Sequence, residues 1–436
     1  MSKLNPIVLF ISILFLANNL LRDLQLEERQ VGDLRNRIVG ARLQKDGLSP
    51  YFYKWKKDEG TRYYDPFNDD GWRVSVCTAS PFFHTLLYPL TELPYTTTSK
   101  LWIFVLYTLL IATTGLAIIL GKKSFLPLIC FVSVCFTFTE TWLDTIVTKQ
   151  SYLFIPFFAM LVYFFIKKSS TNEWLCIGAG VLAISLFLTR PNTIFFFLPL
   201  ILIQSRYKWP SKLYFFLPVL LGLVLILFTA HLGLWRDYFE AANEHVKIHQ
   251  DLNPVPQLND KANFSEIEGF SLQGYQNDVT RWYTAYVEHG NFFVAIYLLF
   301  GYDIPPGQLL ILVFAAILAC FGLFYLIQKK TGGEFSLEVV LLLGYCLYMI
   351  SDIGVPVYRG HYNVVQWLFA LLLIPLTFQV RYLWLYLLML IALILNIHYK
   401  PFLPMQHVLA EYLWLASFLI YAFIYTRARQ NECYGT

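Results

Sequence analysis

Charge is what this chain has least of. Only 14% of its 436 residues are charged, against 57% hydrophobic and 18% aromatic, and its mean hydropathy is positive. A soluble globular protein of this size has no use for so much apolar surface, so lipid is the solvent for most of the chain. The formal net charge of +4 is too small to mark a nucleic-acid surface. No internal repeat, heptad run or low-complexity tract is visible, which excludes solenoids and coiled coils. Cysteine gives neither a metal site nor a stapled ectodomain: of the seven, all but Cys77 and Cys433 lie inside apolar runs.

What is present is a series of apolar runs, each of a length that suits a bilayer crossing or falls a little short of it. They cover Leu4 to Leu21, Leu101 to Leu120, Phe125 to Trp142, Tyr152 to Ile166, Trp174 to Leu188, Thr193 to Gln204 and Leu213 to Leu234. They continue with Gln308 to Gln328, Leu337 to Ile350, Val364 to Phe378, Tyr382 to Ile397 and Val408 to Tyr425. The expectation is an all-α polytopic integral membrane protein, one domain over residues 1–436, with about 12 transmembrane helices. The first run is long for a signal segment and lacks a small-residue cleavage site, so it reads as a retained helix. The Thr193 to Gln204 run is the weakest and also suits a re-entrant hairpin around Arg190-Pro191.

Alternating from a cytoplasmic N-terminus puts Lys122-Lys123, Lys167-Lys168, Lys329-Lys330 and Arg427 with Arg429 on one side, as the positive-inside rule requires. Two long segments, residues 23–100 and 235–307, then fall outside with 21 of the 29 acidic residues. Large outer and short inner loops point to work at the outer face. In the second segment, residues 235–253 and 277–307 read as helices along the membrane, and 254–274, which has no period, as a plain connector in preference to a substrate-gating loop.

In the first outer segment, Val31, Leu34, Ile38, Ala41 and Leu48 share one stripe at helical spacing, which predicts an amphipathic helix able to lie on the bilayer. Asp33, Asn36, Arg37 and Gly40 share a neighbouring face suited to a site wall, while Arg35 and Arg42 point elsewhere, toward lipid phosphates. The plainer reading of Asp33 is a helix N-cap paired with Arg37 one turn on. Asp65, Asp69 and Asp70 suit a solvated turn better than a metal loop, and His245 and His249 lack the pattern of a zinc site. No metal is expected.

These motifs resemble the GT-C membrane glycosyltransferases, most closely glycosyltransferase family 87, which includes polyprenyl-phosphate-mannose-dependent mannosyltransferases. The resemblance lies in Asp33 after the first span, a helix ending in a Gly-x-x-Pro-Tyr turn at Gly47, Pro50 and Tyr51, and then Tyr88-Pro89-Leu90. It extends to Gln150 at the start of a span, where Lys149 and Tyr152 replace the family's Gly and Asn, to Arg190-Pro191, and to the Ser351–Pro375 stretch.

The resemblance implies a GT-C-type fold, no cofactor, and inverting transfer of a hexose, mannose by analogy. The donor would be a polyprenyl-phosphate sugar in the bilayer and the acceptor a lipid or glycan hydroxyl. Asp33 would be the single base, with Arg37, Lys149, Gln150, Arg190, Arg359, His361 and Tyr362 around the donor phosphate and substrate. For each cation the alternative is snorkelling to lipid headgroups; Asp352 could orient Arg359 or His361 or be an ordinary loop residue. The implied location is a bacterial inner membrane, both termini cytoplasmic and the site extracytoplasmic. The alternatives are a transporter or flippase of a lipid-linked saccharide, and a ligase- or polymerase-like enzyme. Against transport, charges cluster at span ends and not at mid-membrane.

Overall fold

A computed structural model describes residues 4–26, 33–53, 60, 62–63, 79–203, 212–228, 232–249, 290–302, 304–331, 335–355, 359–377, 382–397 and 406–434. It is 84% helical, with no strand among the described residues. Helix α1 (Leu4–Gln25) leads to α2 (Asp33–Lys45), the short α3 (Pro81–Leu86) and the long α4 (Tyr95–Leu120). Then come α5 (Leu126–Phe136), α6 (Glu140–Thr148), α7 (Phe154–Lys168), α8 (Leu175–Thr189) and α9 (Ile194–Leu202). Next are α10 (Lys212–Phe228), α11 (Leu232–His249), α12 (Phe292–Phe300), α13 (Pro306–Thr331) and α14 (Leu337–Ile353). The chain closes with α15 (Leu368–Leu373), α16 (Leu383–Leu395) and α17 (Gln406–Tyr434).

Among the described residues four helices are long and apolar enough to cross a membrane: Asn5–Gln25, Tyr95–Leu120, Pro306–Lys330 and Gln406–Ile424. Other apolar helices, such as Leu175–Thr189 and Leu383–Leu395, are shorter. The protein is thus a helical membrane protein by the length and apolarity of its helices.

Two apolar runs that read as single spans are broken. The run from Phe125 splits between α5 and α6 because the Thr137 and Thr139 hydroxyls bond back to Val134 and Phe136 carbonyls at 2.7 Å, competing with the helix ladder. Thr139 then caps α6 by accepting from the Trp142 amide at 3.1 Å. The run from Val364 is 3₁₀ over His361–Trp367, α-helical over α15 and 3₁₀ again over Ile374–Thr377, where Pro375 has no amide to donate.

Helix α14 is the centre of the bundle: from Val339 to Ile353 every side chain is buried. Up to Ile350 it is apolar all round because neighbours cover every face. A Cβ on Gly344 would stand 2.1 Å from the Phe196 carbonyl oxygen, so α14 and α9 touch backbone to backbone. Gly180 brings α8 as close to α10, since a Cβ there would overlap the Phe215 carbonyl. Small residues at crossings are how helices gain contact where lipid gives no hydrophobic drive.

The chain direction sorts the helix ends. Asn5 at the start of α1 donates to the Lys123 carbonyl at 3.0 Å, and Lys167 near the end of α7 pairs with Glu338 at the start of α14 at 3.1 Å. The lysine pairs 122–123 and 167–168 therefore lie at the end of the bundle away from Asp33.

Helix α2 does not have one face free for lipid. Leu34, Arg37, Ile38, Val39, Gly40, Ala41, Leu43 and Gln44 are all buried, against α3 and the Tyr88–Leu90 turn among others. The two arginines expected to meet lipid phosphates are held by protein. Arg35 lies 3.9 Å over the Tyr95 ring, and Arg42 donates to the Thr91 carbonyl at 2.7 Å and the Arg62 carbonyl at 3.2 Å. The Gly47 turn follows, its φ of +80° suited to glycine. Ser49 then donates to Asp237 at 2.9 Å and ties this turn to α11.

Candidate active site

Asp33 opens α2, and its carboxylate accepts from the Gln150 side-chain amide and faces Arg37, one turn on, at 3.7 Å. Arg37 in turn donates to the Gln150 carbonyl oxygen at 2.6 Å and to the Ser151 hydroxyl at 3.2 Å. Gln150 is thus read at both ends, amide to the acid and oxygen to the base, which fixes its orientation. It is fully buried, and Trp102 donates to its backbone carbonyl at 3.3 Å. Asp33 itself is 44% exposed. A carboxylate held at one edge and open at the other can take a proton from a bound hydroxyl.

Lys149 stands just before, in the left-handed conformation at φ 55°, as the residue that ends α6. This is where the resembled pattern has Gly, the residue that suits such a position. Its ammonium is buried and donates to the Val147 carbonyl at 3.3 Å.

A second layer comes from α7, α8 and the 359–362 segment. Tyr152 and Tyr362 lie parallel, centroids 5.7 Å apart at 6°, and the Arg190 guanidinium sits 4.7 Å from the Tyr152 centroid. Arg190 also bonds Asp352 and keeps 24% of its side chain exposed. His361 meets His407 edge-on with centroids 4.6 Å apart.

Arg359 has another partner set. Its Nε donates to Asp352 at 3.1 Å, and both terminal nitrogens donate to Glu411, one at 2.7 Å. Trp367 donates to the same Glu411 at 2.7 Å, and Gln366 to Asp352 at 3.2 Å. With 3% of its side chain exposed, Arg359 is an internal strut. Two cations and two carboxylates neutralise one another there, and Asp352 orients Arg190 and Arg359 together.

Two carboxylates at this end escaped the sequence reading, Asp144 and Glu411. Asp144 accepts the Tyr362 amide at 3.0 Å. Burial pushes its carboxyl up to about 6, against the pull of His361 and that amide; Glu140 and Asp33 add to the rise. Glu411 carried a usable signal, being an acid inside the apolar run from Val408. Asp144, just past the Phe125–Trp142 run, carried none that distinguishes it from Glu140.

His84 on α3 packs beside this layer, with its ring centroid 5.9 Å from that of Tyr51. Burial, then the charge of Arg37, lowers its pKa to about 3. It stays neutral at any working pH.

The site residues named from sequence therefore meet at one end of the bundle, with Arg359 turned inward and Lys149 on its own backbone. The described residues hold no group of three or more metal-ligating side chains. Asp65, Asp69 and Asp70, the 254–274 connector and the side chains of His245 and His249 lie outside the described set. No family model, curated protein or solved structure matches the chain.

Proposed function

We propose that this cleft transfers a hexose from a polyprenyl-phosphate sugar to a lipid or glycan hydroxyl at the outer face of the membrane, within a GT-C-type bundle of about twelve spans. The family 87 resemblance supplies the sugar-phosphate donor, and mannose as the sugar. The observation that carries the reading is Asp33: a half-open carboxylate held by Gln150 and Arg37 at the same end of the bundle as Arg190.

Asp33 takes the proton of the acceptor hydroxyl as its oxygen bonds the anomeric carbon. The bond from that carbon to the phosphate oxygen breaks on the opposite side, so the configuration inverts and polyprenyl phosphate leaves. Arg37 and Arg190 face the charge that grows on the leaving phosphate. Arg359 acts through Asp352, holding Arg190 in place. The retaining scheme would need a second carboxylate acting as nucleophile; Asp144 is engaged with the Tyr362 amide.

The test is purified protein in detergent, a radiolabelled polyprenyl-phosphate sugar and a lipid extract, with wild type set against Asp33→Asn. We expect transfer by the wild type and a loss of about a thousandfold or more in the variant, since an amide cannot accept the proton. Transfer that survives the substitution removes Asp33 as the base. No transfer from any lipid-phosphate sugar turns the reading toward transport of such a lipid.

A further inference from the structure

Asp144 has no part in the proposed transfer step, yet it touches the segment that packs against Tyr152, the ring that Arg190 also meets. It projects from α6, and its Oδ2 accepts the backbone amide of Tyr362 at 3.0 Å. That segment carries two of the site residues: Tyr362, stacked parallel on Tyr152, and His361, packed edge-on to His407. The groups acting on Asp144 come from three elements. His361 attracts it from the 3₁₀ segment, Asp33 repels it from the start of α2, and Glu140 repels it from its own helix. Arg37 pairs with Asp33 on the α2 side, and Lys149 ends α6.

We propose that Asp144 is a positioning residue: it grips the His361–Tyr362 segment through the Tyr362 amide and so sets how that segment stands toward the Asp33, Arg37 and Gln150 face. An ionised carboxylate accepts a shorter and stronger hydrogen bond than a neutral acid. The grip therefore tightens as Asp144 ionises and slackens as it takes a proton, and with its carboxyl raised to about 6 the change falls in a range the protein experiences. The effect on transfer rests on reading this cleft as a transferase site; the grip itself does not.

The experiment is hydrogen exchange, read by mass spectrometry on a peptide covering Arg359–Trp367, in the full chain in detergent at about pH 5 and about pH 7.5, with times matched for intrinsic exchange. In the wild type we expect exchange of this peptide to be roughly fivefold slower at the higher pH. Asp144→Asn keeps an acceptor oxygen and the shape of the side chain but has no charge to gain, so its exchange should show no step. Asp144→Ala should exchange fast at both. The proposal is overturned if the step persists in Asp144→Asn, which would assign it to His361, or if the wild type shows none. Should Asp144→Ala not fold, the wild type and Asp144→Asn decide the matter alone.

The same variants in the transfer assay give the second readout. Wild-type kcat/KM should fall as pH drops through about 6, and Asp144→Asn should lack that limb. A wild type with no transfer at any pH overturns the transferase reading, while the exchange data still judge the grip.

Discussion

Asp33 and Asp144 bear the same functional group on the same end of the bundle, in different surroundings. Asp33 is 44% exposed and held by an amide and a guanidinium, which suits the role of base proposed for it. Asp144 is raised to about 6 by burial, so its folded pKa lies above the unfolded one of 3.8. Stability from it is thus greatest at low pH and declines as pH climbs through 6, the opposite trend from the grip it is proposed to exert.

His84 has the reverse sign. Its folded pKa of about 3 lies below the unfolded 6.5, so its contribution is whole above 6.5 and is lost as pH falls toward 3. Replacing it by Gln, which has no proton to gain, should flatten the fall in Tm between about pH 6.5 and pH 4. Thermal melts in detergent across that range check this, and an unchanged acid limb would place the loss in other groups.

At the scale of the helix, periodicity and environment part company. The Leu34, Ile38 and Ala41 stripe was legible, and the helix forms over Asp33–Lys45, with Leu48 beyond its end and exposed. What covers it was not, because an amphipathic stripe fits lipid and protein equally. The answer lay in residues 49 and 60 positions away, such as Thr91, which accepts from Arg42, and Tyr95, under Arg35. The breaks at Thr137–Thr139 and Pro375 belong here too: threonine and proline were visible, but not whether the local bond would win against the helix.

Close packing gives a sharper test. Gly344→Ala places a methyl against the backbone of α9, where no rotamer change can relieve it, so α14 and α9 must part. The cost should be about 1–3 kcal/mol, seen as a lower Tm. Gly322→Ala on α13, where a Cβ meets nothing within 4 Å, is the control expected to leave Tm unchanged or raise it.

For the whole molecule, the chain of Arg190, Asp352, Arg359 and Glu411 joins α8, α14, the 359–362 segment and α17 at the site end. Glu411→Gln leaves Arg359 with a buried charge only partly compensated, at a cost of about 3–5 kcal/mol. It should also reduce transfer through Arg190, since Asp352 is shared. Denaturation curves measure the first effect. If the variant melts like the wild type, the network is not the clasp described here.

Topology can be tested in intact cells with a membrane-impermeant maleimide. In a background with Cys77 and Cys433 replaced by Ser, Leu48→Cys, exposed at the turn after α2, should label, and Ser170→Cys, exposed beyond α7, should stay protected until the membrane is broken. The reverse pattern would put the site on the inner side and remove lipid-phosphate chemistry at the outer face.

The sequence by itself determined the solvent, the helical class and the approximate ends of most apolar helices. These follow from composition and from periodicity, which are local properties, and from charges that bilayers exclude from their interior. The tertiary structure alone decided which of the basic span ends stay part-exposed. Arg190 and Arg359 carry the same side chain beside the same aspartate, but Glu411, 52 residues beyond Arg359, takes up one and leaves the other part-exposed. Asp144 was likewise one acid among several until folding brought the Tyr362 amide, 218 residues away, onto its carboxylate. Such roles depend on distance in space, and spacing along the chain carries no record of it.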